Sequence, residues 1–199
     1  LRTEENNVQV AVYQKAKKGN FHCGDSYFYI ETENEFVCAL ADGLGSGEFA
    51  KESSQIVIDI IQSNIHATVE QLVKRSNKEL FHKRGVVLGI LKLDFQSKRY
   101  SFSSIGNIGI MTITKDGKKK RNIPNAGYLA GYPRPFKVTT DNLDSNMNFI
   151  MFSDGVTDAD LSQKFLLGND MDEITSMYAN VNGESRIDDT TLIAMRYEE

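Results

Sequence analysis

The chain is poor in the residues that carry cross-links and covalent catalysis. Two cysteines, Cys23 and Cys38, are too few for a disulfide framework, and both are expected to be reduced. His22-Cys23 lacks the CxxC spacing and the second ligand pair of a zinc site. With three histidines in all, none of them near a plausible nucleophilic Ser or Cys, a Ser-His-Asp arrangement has no support. No apolar run approaches the roughly 20 residues of a membrane span. The opening Leu1-Arg2-Thr3-Glu4-Glu5 has no signal-like apolar stretch, and a start on Leu points to a trimmed chain. The expected compartment is cytoplasmic, with no membrane partner. Basic residues are the minority, 23 against 27 acidic, and a net charge of −4 argues against a nucleic-acid partner. Three prolines, no repeat and no low-complexity tract leave no linker, so residues 1–199 are expected to form a single domain with a sizeable core.

What is present is a strand-rich pattern with helices in two places. Val8–Tyr13 reads as a strand, and the runs Tyr27–Glu31 and Phe36–Ala41 flank the polar Thr32–Glu35 turn as a hairpin. From Glu48 to about Ile65 the apolar residues fall at helical spacing. Thr68 then caps a second helix, with Gln71 in capping-box position, running to about His82. Val86–Phe95, Arg99–Ile105 and Ile108–Thr114 follow as strands, with Gln96-Ser97-Lys98 and Gly106-Asn107 as connecting turns. Asn122–Phe136 reads as a surface loop. Val138–Thr140, Phe149–Phe152 and Thr191–Tyr197 read as strands and Asp170–Ala179 as a helix. Two helices back to back, then strands joined by short turns, are not βαβ alternation. The expected class is α+β with antiparallel sheets.

Four acidic stretches punctuate this pattern: Cys23-Gly24-Asp25-Ser26, Ala41-Asp42-Gly43-Leu44-Gly45, Ser153-Asp154-Gly155 and Asp188-Asp189-Thr190-Thr191. Singly, an Asp-Gly reads most simply as a turn. Together they place carboxylates where strands end or begin, at the rim of a sheet. Gathered carboxylates repel one another unless cations lie between them, and an all-oxygen set suits hard divalent ions, Mg²⁺ or Mn²⁺. Gly43 matters because a missing side chain leaves its carbonyl free to meet a metal.

The four motifs in this order resemble the metal-dependent protein phosphatases, the type 2C (PPM) Ser/Thr family, over nearly the whole chain. The length without a regulatory domain, Cys23-Gly-Asp-Ser-Tyr-Phe28 and Arg84-Gly85 resemble its short bacterial branch of stress and sporulation regulators. The resemblance implies two antiparallel β-sheets packed face to face and flanked by helices. It implies two divalent ions, Mn²⁺ or Mg²⁺, with Asp42 bridging them and the Gly43 carbonyl completing one shell. Asp154 and Asp188 would hold the second ion, and Asp25 would reach a metal directly or through water. Asp189, where the family often carries Asn, would play a supporting role. Two ions about 4 Å apart lower the pKa of a bridging water, so hydroxide rather than a side chain is the implied nucleophile. The implied activity is hydrolysis of phosphoserine or phosphothreonine on protein. The implied partners are phosphorylated stressosome proteins of the RsbS and RsbR type, whose dephosphorylation damps the general stress response. Two places depart from the family. Leu44 stands where many members carry a His thought to protonate the leaving group, and Asn20 and Phe21 stand where many carry a phosphate-binding Arg.

Three functions compete: this phosphatase, a catalytically silent binding module on the same scaffold, and a phosphatase for small esters. The basic run Lys115–Arg121 reads as a solvated hairpin tip. Tyr128, Tyr132 and Phe136 read as packing over the core, with a docking surface as the alternative. The methionines read as core filler, and His66 and His82 as surface residues at helix ends.

Overall fold

A computed structural model describes residues 6–19, 23–182 and 188–198. The strands in chain order are β1 (Val8–Lys15), β2 (Asp25–Glu31), β3 (Glu35–Gly43), β4 (Val86–Asp94), β5 (Arg99–Ile105), β6 (Gly109–Ile113), β7 (Lys119–Arg121), β8 (Thr139–Asn142), β9 (Asn148–Phe152) and β10 (Thr190–Tyr197). The helices are α1 (Glu48–Gln62), α2 (Val69–Glu79), α3 (Asp158–Leu161) and α4 (Met171–Asn182), with a 3₁₀ turn at Lys164–Leu167. One sheet has the order β1-β10-β9-β6-β7 and the other β2-β3-β4-β5-β8, and the strand pairs are antiparallel.

Alternation along the strands explains the layers. In β3, Phe36, Cys38 and Leu40 face the other sheet, where Phe149, Met151, Ile193 and Met195 meet them. The intervening Val37, Ala39 and Ala41 face outward and are covered by Val57, Ile58 and Ile61 of α1 and Leu72 and Val73 of α2. The other sheet does the same: Ile150, Phe152, Leu192 and Ala194 turn out to meet Leu161, Ile174 and Tyr178. Both faces of each sheet are therefore apolar, which is why these strands read as near-continuous apolar runs. The result is helices, sheet, sheet, helices, the sandwich implied by the resemblance.

The capping box at Thr68 and Gln71 is present, but α2 stops at Glu79. His82, with φ at 62°, stands in a left-handed conformation that cannot continue a helix. Gly106-Asn107 joins β5 and β6, which lie in different sheets, so it carries the chain across the sandwich rather than closing a hairpin. The basic run does sit on a hairpin, yet only its first half is a turn. Lys119–Arg121 form β7, Lys119 Nζ donates to the carbonyls of Leu161 and Gln163, and Arg121 pairs with Asp158. The short helical segments after Asp154 were not expected, being too brief for an apolar period to show. Met177 is 42% exposed, whereas Met111, Met147, Met151, Met171 and Met195 are buried.

Candidate metal centre

The inward-facing parity of the strands continues past the apolar core at one end of the sandwich, and there it becomes acidic. Asp42 follows Leu40 on the inner face of β3, and Asp25 stands directly opposite it in β2. Val86 exchanges both backbone bonds with Leu129, so the Gly43–Val86 pair is non-hydrogen-bonded and the Asp42–Val87 pair is bonded. Asp25 and Asp42 are then a non-hydrogen-bonded pair, the arrangement with the closest side chains, where like charges destabilise. By the same alternation Gly43 turns its carbonyl toward the β2 side, where β2 is only beginning.

From the other sheet, Ser153 and Thr191 reach the same end. Thr191 N donates to Ser153 Oγ at 2.9 Å, and Thr191 Oγ1 donates to Asp25 Oδ2 at 2.6 Å. Gln14 Nε2 donates to Thr191 Oγ1 at 3.1 Å. Asp25 is fully buried, and its Oδ1 is without a hydrogen-bond partner. Burial pushes its carboxyl up to about 6, against the opposing bond from Thr191. Asp42 is pushed further, to about 8, by burial first and then by Asp25, Asp154, Asp189 and Asp188. The four motifs therefore meet in one electrostatic neighbourhood. Asp154 is raised as well, by partial burial and by Asp188.

The remaining carboxylates differ in what they touch. Asn107 Nδ2 donates to Asp154 Oδ2 at 2.7 Å, a contact the sequence reading missed. Asn107 follows a glycine in a turn, with nothing local to mark it. Asp189 accepts from the backbone N–H of Lys17 at 2.7 Å and of Gly24 at 2.9 Å, tying the approach to Asp25 onto β10. Asp188 is exposed, with Lys17 Nζ 3.9 Å away. Gly155 allows a close approach here: a Cβ on it would lie 2.2 Å from Thr190 Oγ1.

Whether these residues suit a metal turns on their donor chemistry. Among the described residues, no three His, Cys, Asp or Glu side chains converge into a closed ligand shell. Mutual repulsion favours that spread. The donors are oxygens throughout, one buried carboxylate oxygen is unpartnered, and two carboxyls are pushed up to about 6 and about 8, by burial first and then by neighbouring carboxylates. That set fits a hard divalent cation. Cys23 does not compete, since burial and Asp25 push its thiol up to about 12. Its neighbour His22, and the Asn20-Phe21 departure, lie outside the described residues. Leu44 is half-buried against the inter-sheet core.

These shifts have a thermodynamic sign. A carboxyl with a folded pKa above its unfolded value of about 3.9 adds stability that is complete below that value and lost as pH rises through the folded pKa. For Asp25 and Asp42 the window runs from about 4 through about 6 and about 8. In a chelator the melting temperature is expected to fall between pH 5 and pH 8.5, as calorimetry would show. A rise across that window contradicts the assignment. Asp94 and Asp116, both lowered, titrate below it.

Two stacked antiparallel sheets with outer helices and a carboxylate rim at one end define a PP2C-type phosphatase fold. Residues 32–198 match the family model described as Stage II sporulation protein E (SpoIIE). The phosphoserine phosphatase RsbX of Bacillus subtilis (strain 168) is 34% identical over 197 residues, 97% of either chain. A crystal structure of RsbX in complex with magnesium superposes with a TM-score of 0.88 over 98% of both chains at 34% identity. The catalytic domain of the Ser/Thr phosphatase PstP, in complex with 2 manganese ions, gives 0.77 over 96% of this chain and 99% of that one; at 15% identity it supports the fold alone. The chain belongs to the SpoIIE family of PP2C-type phosphatases and is a homologue of RsbX. No described helix is long and apolar enough to cross a membrane.

Proposed function

We propose that the chain, as one domain, is a metal-dependent phosphoserine/phosphothreonine protein phosphatase of the cytoplasm. The observation that carries this is the pair of buried Asp25 and half-buried Asp42 at the sheet end, with Oδ1 of Asp25 unpartnered and Asp154, Asp188 and Asp189 within electrostatic reach. Asp25, Asp42, the Gly43 carbonyl, Asp154 and Asp188 would hold two divalent ions, Mn²⁺ or Mg²⁺; Asp189 would support them through its backbone clamp. The RsbX structure in complex with magnesium favours that reading. Bound ions supply Lewis-acid charge and water made acidic enough to attack phosphorus at neutral pH.

The chain's own residues prepare that site. Thr191 and Gln14 fix which oxygen of Asp25 is tied up and which is free. Lys51 Nζ on the Asp25 carbonyl, at 2.7 Å, anchors the first residue of β2 to α1. Ser54 Oγ holds the Gly24 carbonyl at 2.8 Å, and Asn107 orients Asp154. Leu44 offers no proton to a leaving group, so water, another residue or the substrate protein would provide it.

The proposed substrates are phosphorylated stressosome proteins of the RsbS and RsbR type, with damping of the stress response as the consequence; similarity to RsbX supports this. The test incubates the protein and Mn²⁺ with such phosphoproteins and measures released phosphate. Release that a chelator stops is expected. No release from any of them, with Mn²⁺ bound, would favour a silent binding module.

A further inference from the structure

A groove away from the carboxylates runs between α2 and the loop at 128–137. Its volume is about 330 Å³, and Val73, Leu129, Pro133 and Phe136 form an apolar floor. Lys74, Lys78 and Arg134 stand along its rim. It continues into a second hollow of about 520 Å³ that shares Lys74, Arg134 and Phe136 and adds Lys137. The carboxylate among these lining residues is Glu70, paired with Lys74 at 2.5 Å. Among the described residues Lys78 and Lys137 face no carboxylate at ion-pair distance. Arg134 donates to the carbonyls of Ala126 and Tyr128 rather than to an acid. In a chain of net charge −4 this is a local excess of positive charge over an apolar floor.

The loop that forms one wall is fixed. Asn77 Oδ1 accepts from the N–H groups of Ala130 and Gly131 at 3.1 and 3.0 Å, and its Nδ2 donates to the Tyr132 carbonyl at 2.6 Å. Phe136 packs partly onto the helix-side core, whereas Tyr128 and Tyr132 are 52% and 65% exposed. The backbone beneath the groove lies near the acidic rim. Leu129 pairs with Val86, and Val86 pairs with Gly43. Two strand spacings, roughly 10 Å, therefore separate Leu129 from Gly43.

We propose that this groove docks an acidic segment of the phosphoprotein substrate, with an apolar side chain on the floor and carboxylates against Lys78, Arg134 and Lys137. It deepens the phosphatase reading and rests on it for what the docked segment carries. At about 3.3 Å per extended residue, the roughly 10 Å between Leu129 and Gly43 is spanned by about three residues of a docked segment.

The test separates docking from turnover. A fluorescein-labelled glutamate-rich peptide with a central leucine is titrated with the full chain and followed by anisotropy. The exposed double variant Lys78→Glu/Lys137→Glu is expected to bind about tenfold more weakly or worse, two charge reversals amounting to about 1.4 kcal/mol. Lys115→Glu, on the β6–β7 hairpin, should bind like the unaltered chain. For a phosphoprotein the double variant should raise KM and leave kcat in place, with small-ester hydrolysis unmoved. Equal binding by the double variant, equal weakening by Lys115→Glu, or equal binding of a leucine peptide without acids would each overturn the proposal. So would sedimentation showing a dimer that the double variant loses, since the occupant would then be a second copy. Loss of phosphate release without loss of peptide binding would sink the phosphatase reading and leave the groove standing.

Discussion

Replacing Asp42 by Asn is expected to reduce Mn²⁺-dependent phosphate release on the order of 10³-fold while raising the melting temperature of the metal-free protein above pH 8. The two effects have one cause. Burial first, and then Asp25 opposite it with Asp154, Asp189 and Asp188, pushes the Asp42 carboxyl up to about 8. Above that pH the ionised side chain opposes folding, and an amide of the same shape relieves it. Below about pH 4 the acid is neutral in both folded and unfolded chains, so the advantage of the amide should vanish there. Saturating Mn²⁺ should reverse the order of stability. A ligand that binds only the folded chain stabilises it by mass action, and the variant lacks the central carboxylate needed to bind it. Melting curves of both proteins at pH 8.5, with chelator and with Mn²⁺, would show the crossing. If the Asp42→Asn variant melts lower in both conditions, Asp42 is held by structure rather than strained for metal. If phosphate release survives in the variant, the acidic rim is not the catalytic centre.

How much of this was legible in the sequence follows from what is local. The strands around Phe36–Ala41 and Phe149–Phe152 announced themselves because both faces are buried, leaving long apolar runs. The Thr68 cap was legible because its partner Gln71 is three residues away. Asp25, Asp42 and Asp154 stand out in the sequence through the glycine beside each and Asp188 through its acidic neighbour Asp189, whereas register alone puts Asp25 opposite Asp42. The pairing of Asn107 with Asp154 spans 47 residues between turns, and no local pattern encodes it. The role of Gly106-Asn107 as a sheet crossover was hidden for a similar reason. A two-residue connection looks the same whether its strands pair with each other or with different partners. Likewise the groove at Lys78 and Lys137 joins a helix to a loop through Asn77, contacts that a linear reading does not bring together.

Adding a single methyl group at Gly43 is the second substitution with a large expected effect, and it acts through packing rather than charge. A Cβ there would lie 2.0 Å from the carbonyl oxygen of Ala50 and 2.8 Å from its Cα, both backbone atoms of α1. Backbone cannot swing aside as a side chain would, so α1 must move off β3. Overpacking of this kind costs about 1–3 kcal/mol, which lowers the melting temperature by roughly 2–12 °C in a chain of this size. The displacement also reaches the acidic rim. Lys51 on the Asp25 carbonyl and Ser54 on the Gly24 carbonyl are both carried by α1, at 2.7 and 2.8 Å. Moving them loosens the start of β2 and with it the position of Asp25, so Mn²⁺ affinity should fall about 10–100-fold. Calorimetry and metal titration of Gly43→Ala would measure both. Adding Ala50→Gly is the control: the clash is with backbone, so removing the Ala50 side chain should restore neither property. Recovery in the double variant would place the conflict between side chains. An unchanged melting point in Gly43→Ala would mean that the close approach of α1 to β3 does not hold the acidic rim in place.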